Sequence, residues 1–264
     1  MSREPARLGE LEHELAGGIR SAGRSWSIFY FDEVASTMDV ARDLWERGDT
    51  KGPALVATRS QSAGRGRRGR EWLQTEGALY ATYVFETDLP VERLAAFSLV
   101  MGVAIVKELE SLGCELRLKW PNDIMSADVR KIGGILIEVA GDDRRRALLC
   151  GCGINLLNSP RSLPAAAALT DCVSKELSSL AAAQLISAPL FSAFQTFERD
   201  GFAAYKQQWL NKAMCLGKPV RLENDVRHVD GIFRGLGANG EIQIEVGGRV
   251  LEYSSGDLSL RSSA

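Results

Sequence analysis

Lys131-Ile-Gly-Gly-Ile-Leu-Ile-Glu-Val-Ala-Gly141, then Asp-Asp-Arg-Arg-Arg146, then Ala147-Leu-Leu-Cys-Gly-Cys-Gly-Ile-Asn-Leu156 is the stretch that decides the architecture. Two apolar runs, Ile132 to Val139 and Ala147 to Leu156, flank a polar segment from Gly141 to Arg146. Runs of this length and composition predict buried strands, and the polar segment predicts the turn of a hairpin, so antiparallel pairing is implied. Immediately upstream, Leu116, Leu118 and Trp120 alternate with Arg117 and Lys119 as far as Pro121, which is strand spacing. Arg93 to Leu112 reads as an apolar helix stopped by Gly113.

Further toward the N-terminus the pattern alternates. It predicts strands at Trp26 to Phe31, Ala54 to Thr58 and Ala78 to Glu86, a helix opened by Ser-Thr at Ser36 to Glu46, and a Gly/Arg loop at Gly64 to Arg70. Leu8 to Ile19 has a weak helical period. Downstream of Pro160 the pattern turns helical, with Leu190, Phe194, Phe197, Phe202, Tyr205 and Trp209 spaced as one buried stripe. Leu177 to Phe197 carries no charge and is long enough to span a bilayer, but its seven Ser, Thr or Gln residues and central Pro189 predict two buried-face helices meeting at the proline. From Val220 to Leu260 the chain becomes short alternating segments with Gly turns, which suggests a small β-barrel. The fold class is therefore α+β with a β appendage.

Composition narrows the chemistry. With 45% hydrophobic and 25% charged residues the chain is an ordinary globular one, so disorder, collagen and coiled coil are excluded. A net charge of −2 gives no argument for nucleic acid or an anionic membrane. The first twenty residues lack an apolar core, and the five cysteines contain no CxxC pair, so no secretory signal, disulfide framework or zinc site is suggested and a reduced, cytoplasmic setting is expected. Two histidines, His13 and His228, exclude an HExxH site and argue against a Ser-His-Asp triad.

Gly64-Arg-Gly-Arg-Arg-Gly69 matches GxGxxG in form, but a dinucleotide loop must open a helix, and here Arg-Glu-Trp-Leu-Gln-Thr-Glu-Gly and a strand follow. What such a loop supplies is mobile guanidinium groups and closely approaching backbone N–H groups, suited to phosphate and carboxylate; a solvated basic surface loop has the same composition. A loop so rich in glycine and arginine needs an anion to order it. Lys119-Trp-Pro-Asn-Asp123 presents an amide and a carboxylate after a rigid turn, Lys131 stands at the mouth of a strand, and Gly151-Cys-Gly-Ile-Asn155 adds a second amide on a glycine-lined strand.

In this order the segments resemble the biotin protein ligases. The resemblance rests on Ser36-Thr37 after Phe31-Asp-Glu, on Gln61-Ser-Ala-Gly-Arg-Gly-Arg-Arg-Gly-Arg-Glu-Trp72, on Lys119-Trp-Pro-Asn-Asp123, on Lys131-Ile-Gly-Gly-Ile-Leu and on Gly151-Cys-Gly-Ile-Asn155, and it spans about residues 28 to 261. It implies a mixed β-sheet flanked by helices, of the class II aminoacyl-tRNA synthetase and biotin ligase type, followed by a small C-terminal SH3-like β-barrel. The corresponding division is a short extension over 1–25, a catalytic unit over 26–214 and the barrel over 215–264. That extension is too short for an N-terminal winged helix-turn-helix, so a ligase without a DNA-binding domain is implied.

By the same resemblance Ser36, Thr37, Met38 and Gln61 line the biotin slot, with Met38 where the family often has Asn. Arg65, Gly66 and Arg67 form the loop that closes over biotin and its acyl phosphate, Lys131 also contacts biotin, and Lys131 and Arg67 serve the reacting centre. Arg70, Trp72, Asn122, Asp123 and Asn155 map to the nucleotide side, although Asp123 could equally anchor the loop. The implied reaction consumes ATP with Mg²⁺, whose ligands the sequence does not place, and modifies a biotin carboxyl carrier domain of a biotin-dependent carboxylase. No DNA and no membrane partner is expected, and a homodimer is left open. A lipoate- or octanoate-type acyltransfer, or a nucleic-acid-binding regulator, is the rival reading.

Overall fold

The computed structural model describes residues 26–50, 52–173, 176–223 and 228–260; the helical reading of Leu8 to Ile19 lies outside them. The first sheet has seven strands: β1 (Ser27–Val34), β2 (Ala54–Gln61), β3 (Leu79–Glu86), β4 (Leu116–Lys119), β5 (Asp123–Ser126), β6 (Lys131–Gly141) and β7 (Arg146–Ile154). Their order is β1-β2-β3-β7-β6-β5-β4. Only β1 and β2 run parallel, so the sheet is mixed. The hairpin read from Lys131 to Asn155 is its centre, with Gly134 opposite Gly153 and Leu136 opposite Gly151.

Helix α1 (Thr37–Arg47) makes the parallel crossover from β1 to β2. It starts because the Ser36 side chain accepts the Met38 N–H, and it stops because Gly48 takes φ +77° and turns its own N–H back on Leu44 and Trp45. Its buried face, Met38, Ala41 and Trp45, packs on Val56, Val84 and Leu149. The opposite face of the sheet carries Leu55, Tyr83, Phe85, Leu148 and Cys150. Helices α2 (Phe97–Glu110), α3 (Ser179–Asp200) and α4 (Ala203–Lys212) cover it, through α2 and α3 in particular. Phe85 stacks on Phe194 with ring centroids 4.7 Å apart, and Phe97 meets Phe194 edge-on at 5.6 Å. Each such buried ring contributes roughly 2–3 kcal/mol of transfer free energy.

Three expectations need correction. Arg93 to Leu112 is not one helix: a helical turn at Val91–Leu94 precedes α2, whose start at Ala96 has no side-chain cap. Leu177 to Phe197 is not two helices meeting at Pro189, because α3 runs through the proline. Pro189 removes one intrahelical N–H, while Ile186, Leu190 and Phe194 on both sides of it sink into the same core and hold the helix together. The break comes at Gly201, φ +69°, and the aromatic stripe resumes with Phe202 and Trp209. Finally, the helical pattern read from Pro160 onward begins only at α3: from Pro160 to Val173 the chain is mostly irregular, with one short 3₁₀ turn at Leu169–Asp171. Besides short turns of its own, its backbone bonds to the strands: Lys131 N–H to Ala165 O at 2.7 Å, Ala167 N–H to Lys131 O at 2.8 Å and Leu169 N–H to Asn155 O at 2.8 Å.

The C-terminal sheet is formed by β8 (Pro219–Glu223), β9 (His228–Leu236), β10 (Ile242–Val246), β11 (Arg249–Tyr253) and β12 (Asp257–Leu260). It is antiparallel in the order β11-β10-β9-β8-β12, and β11 and β12 are not paired with each other. Val220, Leu222, Phe233, Ile244 and Leu258 belong to the same buried cluster as Phe97 and Phe197, so one core serves both sheets. Trp209 meets Phe233 edge-on at 6.3 Å. Trp120 donates its buried indole N–H to Gly240 O at 2.9 Å, and Gly240, at φ +84°, lets the β9–β10 turn sit on Leu99 of α2 and on Ala96 just before it.

Trp120→Phe removes that donor and strands the Gly240 carbonyl, an expected loss of about 1–3 kcal/mol. Urea unfolding followed by fluorescence and by far-UV circular dichroism should show one shifted transition with coincident midpoints, since both sheets share a core.

Candidate active site

On the α1 side of the sheet, alternate residues along β7 change from Leu149, under α1, to Gly151, Gly153 and Asn155 just beyond its end. The side chains thus stop, and bare backbone forms the floor of a cavity of about 560 Å³. All the residues singled out above line it: Ser36, Thr37, Met38 and Gln61 from the start of α1 and the end of β2; Arg65, Gly66, Arg67, Arg70 and Trp72 from the arginine loop; Asn122, Asp123, Lys131 and Asn155 from strand ends. Pro160, Leu163 and Ala166 of the irregular segment add a rim that sequence reading took for helix.

The floor is bare because other groups lie on it. A Cβ at Gly151 would stand 2.8 Å from Met38 Sδ. One at Gly153 would stand 2.6 Å from the Trp72 ring, and one at Gly134 would stand 2.9 Å from it. The indole therefore rests on the paired glycines of β6 and β7, with Lys131 Nζ 5.4 Å from the ring centroid. Trp72 Nε1 and Asn155 Oδ1 are buried and have no hydrogen-bond partner among the described residues, whereas Asn155 Nδ2 is fixed on Ala167 O at 3.0 Å.

At the other end Gln61 Oε1 accepts from the Thr37 N–H at 2.8 Å and from Thr37 Oγ1 at 3.0 Å. A backbone N–H can only donate, so these bonds fix which end of the amide is oxygen and leave its NH₂ for a ligand. Thr82 Oγ1 donates to Thr37 Oγ1 at 2.9 Å, completing a buried chain of hydroxyls.

Between these ends stand the cations. Lys131 Nζ lies 2.6 Å from Asp123 Oδ1, and Lys119 Nζ lies 3.7 Å from Asp123 Oδ2. Asp123 is thus paired with two lysines, neither of which belongs to the arginine loop. Asn122 is locked by Nδ2 to Ile135 O at 2.7 Å, and its Oδ1 takes a long 3.4 Å contact from Arg67. Burial lowers the Arg67 pKa from the ordinary arginine value and Asp257 offsets part of that; a guanidinium remains charged at neutral pH.

The arginine loop is ordered by the protein's own carboxylates. Arg65 bonds Asp39 of α1 at 2.7 Å, and Glu138 of β6, which pairs with Arg42 at 2.8 Å, lies 3.6 Å from it. Arg70 and Arg67 reach Asp257 at the head of β12, at 3.0 and 3.4 Å. Sequence reading missed Asp39, Glu138 and Asp257. Asp257 follows Arg67 by 190 positions, in a Ser-Ser-Gly-Asp turn that carries no signal of its own.

Gly153→Ala should unseat Trp72, giving a red-shifted tryptophan emission that is absent when Trp72 is already Phe, at a cost of about 1–3 kcal/mol from overpacking. Burial pushes the Cys152 thiol up to about 12 and raises Cys150 as well. Both should therefore resist alkylation at pH 8 in the native protein and react on unfolding, as mass spectrometry of labelled peptides would read.

Comparison with known proteins identifies the family. The sequence profile of the Biotin/lipoate A/B protein ligase family matches residues 30–155. A relative named biotin–[acetyl-CoA-carboxylase] ligase from Mycobacterium tuberculosis is 30% identical over 94% of this chain and 94% of its own length. The bifunctional ligase/repressor BirA of Escherichia coli is 30% identical over 82% of this chain and 69% of its own. The solved biotin protein ligase from Aquifex aeolicus in complex with biotin and ATP superimposes with a TM-score of 0.76 at 26% identity, covering 90% of this chain and 99% of that one. Two ligase relatives this similar along their length, on the same fold, mean that the chain belongs to the biotin protein ligases of the biotin/lipoate A/B protein ligase family.

Proposed function

We propose that this chain activates biotin with ATP to biotinyl-5′-AMP and transfers the biotin to a lysine of a biotin carboxyl carrier domain of acetyl-CoA carboxylase. One observation carries the reading: a polar pair, Thr37 and Gln61, stands at one end of the floor, and an indole with an unpaired buried amide oxygen, Trp72 and Asn155, stands at the other. From Gly151 to Asn155 the strand rises about 13 Å at roughly 3.3 Å per residue. That is room for an acyl chain meeting a nucleotide. Ser36, Thr37 and Gln61 suit a ureido ring, which has donors and an acceptor, in a slot that Met38 keeps apolar. Asn155 Oδ1 suits the amine of an adenine base lying along Trp72.

The first step needs no general base, because a carboxylate is already ionised at neutral pH. Its oxygen attacks the α-phosphorus, the bond to pyrophosphate breaks, and two anions must be held together while this happens. Lys131 and Arg67 supply the positive charge at that point, with Asp123 keeping Lys131 extended beside Trp72. In the second step the carrier amine attacks the acyl carbon and AMP leaves, Lys131 steadying the charge on both. Mg²⁺ fits as the ion that accompanies ATP. Of the carboxylates lining the cavity Asp123 is taken by lysines and Glu71 is exposed, and among the described residues no cluster of three metal-binding groups exists. When bound it would neutralise phosphate charge.

We further read the C-terminal sheet as the SH3-like barrel of the resemblance, with the main unit over 26–214 and the barrel over 215–264. Five free thiols support a cytoplasmic setting. The reading includes no DNA partner, and a salt-dependent gel shift would overturn that part.

Incubation with ATP, Mg²⁺ and biotin should yield biotinyl-AMP by mass; an adenylate of lipoate or octanoate in its place would overturn the assignment. Lys131→Ala removes a cation and frees Asp123 to repel phosphate. It should slow biotin-dependent pyrophosphate exchange by about 10²-fold or more, with biotin affinity changed by no more than a few fold. Equal losses in both would contradict a transition-state role.

A further inference from the structure

Among the described residues, the C-terminal sheet meets the arginine loop with a charge at Asp257. Its carboxylate lies 3.0 Å from Arg70, 3.4 Å from Arg67 and 3.6 Å from Arg68. The backbone carbonyl beside it, Gly256 O, takes two more contacts from Arg67 at 3.4 and 3.5 Å. We propose that Asp257 is a positioning residue for biotin activation: it tethers the arginine loop to the C-terminal sheet and thereby holds Arg67 over the cavity before any ligand arrives. The inference deepens the ligase reading and rests on it for its consequence in catalysis.

The loop has little reason to adopt this shape by itself. It carries Gly64, Gly66 and Gly69 between its arginines, and Arg68 sits at φ +55°, a conformation that side chains other than glycine adopt at a cost. Its internal bonds are few: Gly66 N–H to Arg70 O at 2.7 Å, Arg70 N–H to Arg67 O at 3.2 Å, Arg70 Nε–H to the same carbonyl at 3.3 Å and a stem bond from Trp72 N–H to Gly64 O at 2.9 Å. Fixing such a segment costs about 1–2 kcal/mol per residue, and three guanidinium groups brought together repel one another. A carboxylate at their centre answers both costs.

The anchor itself is held firmly. Gly256, at φ +149°, packs so tightly that a Cβ there would stand 2.5 Å from Leu222, and Leu222 is part of the shared core. Asp257 pairs across the sheet with Glu223. Two acids opposite each other weaken a sheet unless cations stand against them, and here the arginines do.

The distances divide the labour. The shortest contact goes to Arg70, at the base of the loop, while every contact to Arg67 is 3.4 Å or longer. One carboxylate among three arginines leaves net positive charge. A phosphate can therefore draw on Arg67 without releasing Arg70, so Asp257 acts as a tether and not as a competitor for the site.

The test compares the full-length protein with Asp257→Asn, which keeps shape and loses charge, and Asp257→Glu, which keeps charge. Hydrogen exchange of loop amides 64–70 in the ligand-free protein should rise about tenfold in Asp257→Asn and return to within about threefold of the parent in Asp257→Glu. Apparent KM for ATP and the fraction of biotinyl-AMP escaping to solution should rise several-fold in Asp257→Asn, with the Kd for biotin alone within about twofold. Unchanged loop exchange in Asp257→Asn would overturn the tether, as would a uniform fall in every activity that tracks the melting temperature. Should Asp257→Asn not fold, Arg70→Gln breaks the same contact from the loop side and must raise loop exchange by a similar factor; no rise overturns the proposal. If no variant and no parent forms biotinyl-AMP, the ligase reading fails, and the exchange data still decide the tether.

Discussion

Trp72 lies flat on backbone, and the rest of the site is arranged around that contact. The indole can reach the sheet only where β6 and β7 present a glycine to each other, at Gly134 and Gly153. A methyl at either position would collide with the ring. The same bareness continues at Gly151, where Met38 rests, so a cavity opens where the helix-covered face of the sheet runs out of side chains. Depth is obtained by omission, in the middle of a sheet whose neighbouring positions are fully buried. A flat aromatic wall and an apolar slot follow from two glycines in register and a third two residues away.

Onto this neutral floor the chain brings cations that are each already paired. Lys131 has Asp123, Arg65 has Asp39, and Arg67 and Arg70 have Asp257. These pairs are half-exposed, and each contributes well under a typical buried bond to stability. Their value is positional: long cationic side chains that would otherwise wander in solvent are aimed before substrate arrives, which lowers the ordering cost at the moment of binding. The pairing also keeps concentrated positive charge compatible with a folded, near-neutral protein.

Much of this was legible in the sequence where local chemistry dictates geometry. The hairpin from Lys131 to Asn155, the Ser36 start of α1 and the strands on either side of the arginine loop follow from alternation, capping residues and glycine stops, and the structure places them within a few residues. Of the lining residues, the arginine loop, Asn122, Asp123, Lys131 and Asn155 stood out by their own chemistry in loops and at strand ends, whereas Ser36, Thr37, Met38, Gln61 and Trp72 came from the resemblance to the biotin protein ligases. Three of the misses share a cause, which is that the deciding partner was far away along the chain. Ala165 to Ala168 has the composition of a helix, but Lys131 and Asn155 offer its backbone better partners. Pro189 should interrupt a helix, but a continuous core lies beneath both halves. The carboxylates that order the arginine loop sit on three different elements, one of them in the other sheet.

The shared core also has a consequence in time. A ribosome delivers the chain from its N-terminal end, and early segments begin to organise while later ones are still being made. The floor, the biotin-facing polar pair and the arginine loop all lie between residues 36 and 155, whereas Phe233, Ile244 and Leu258, which finish the same hydrophobic cluster, and Asp257, which gathers the arginines, emerge more than 75 residues later. For that interval a nascent chain carries the ligand-facing residues with part of its apolar core uncovered and with Arg67 and Arg70 still lacking the Asp257 carboxylate. A ribosome stalled short of β12 thus leaves a chain that has these ligand-facing residues but lacks the carboxylate that gathers Arg67 and Arg70.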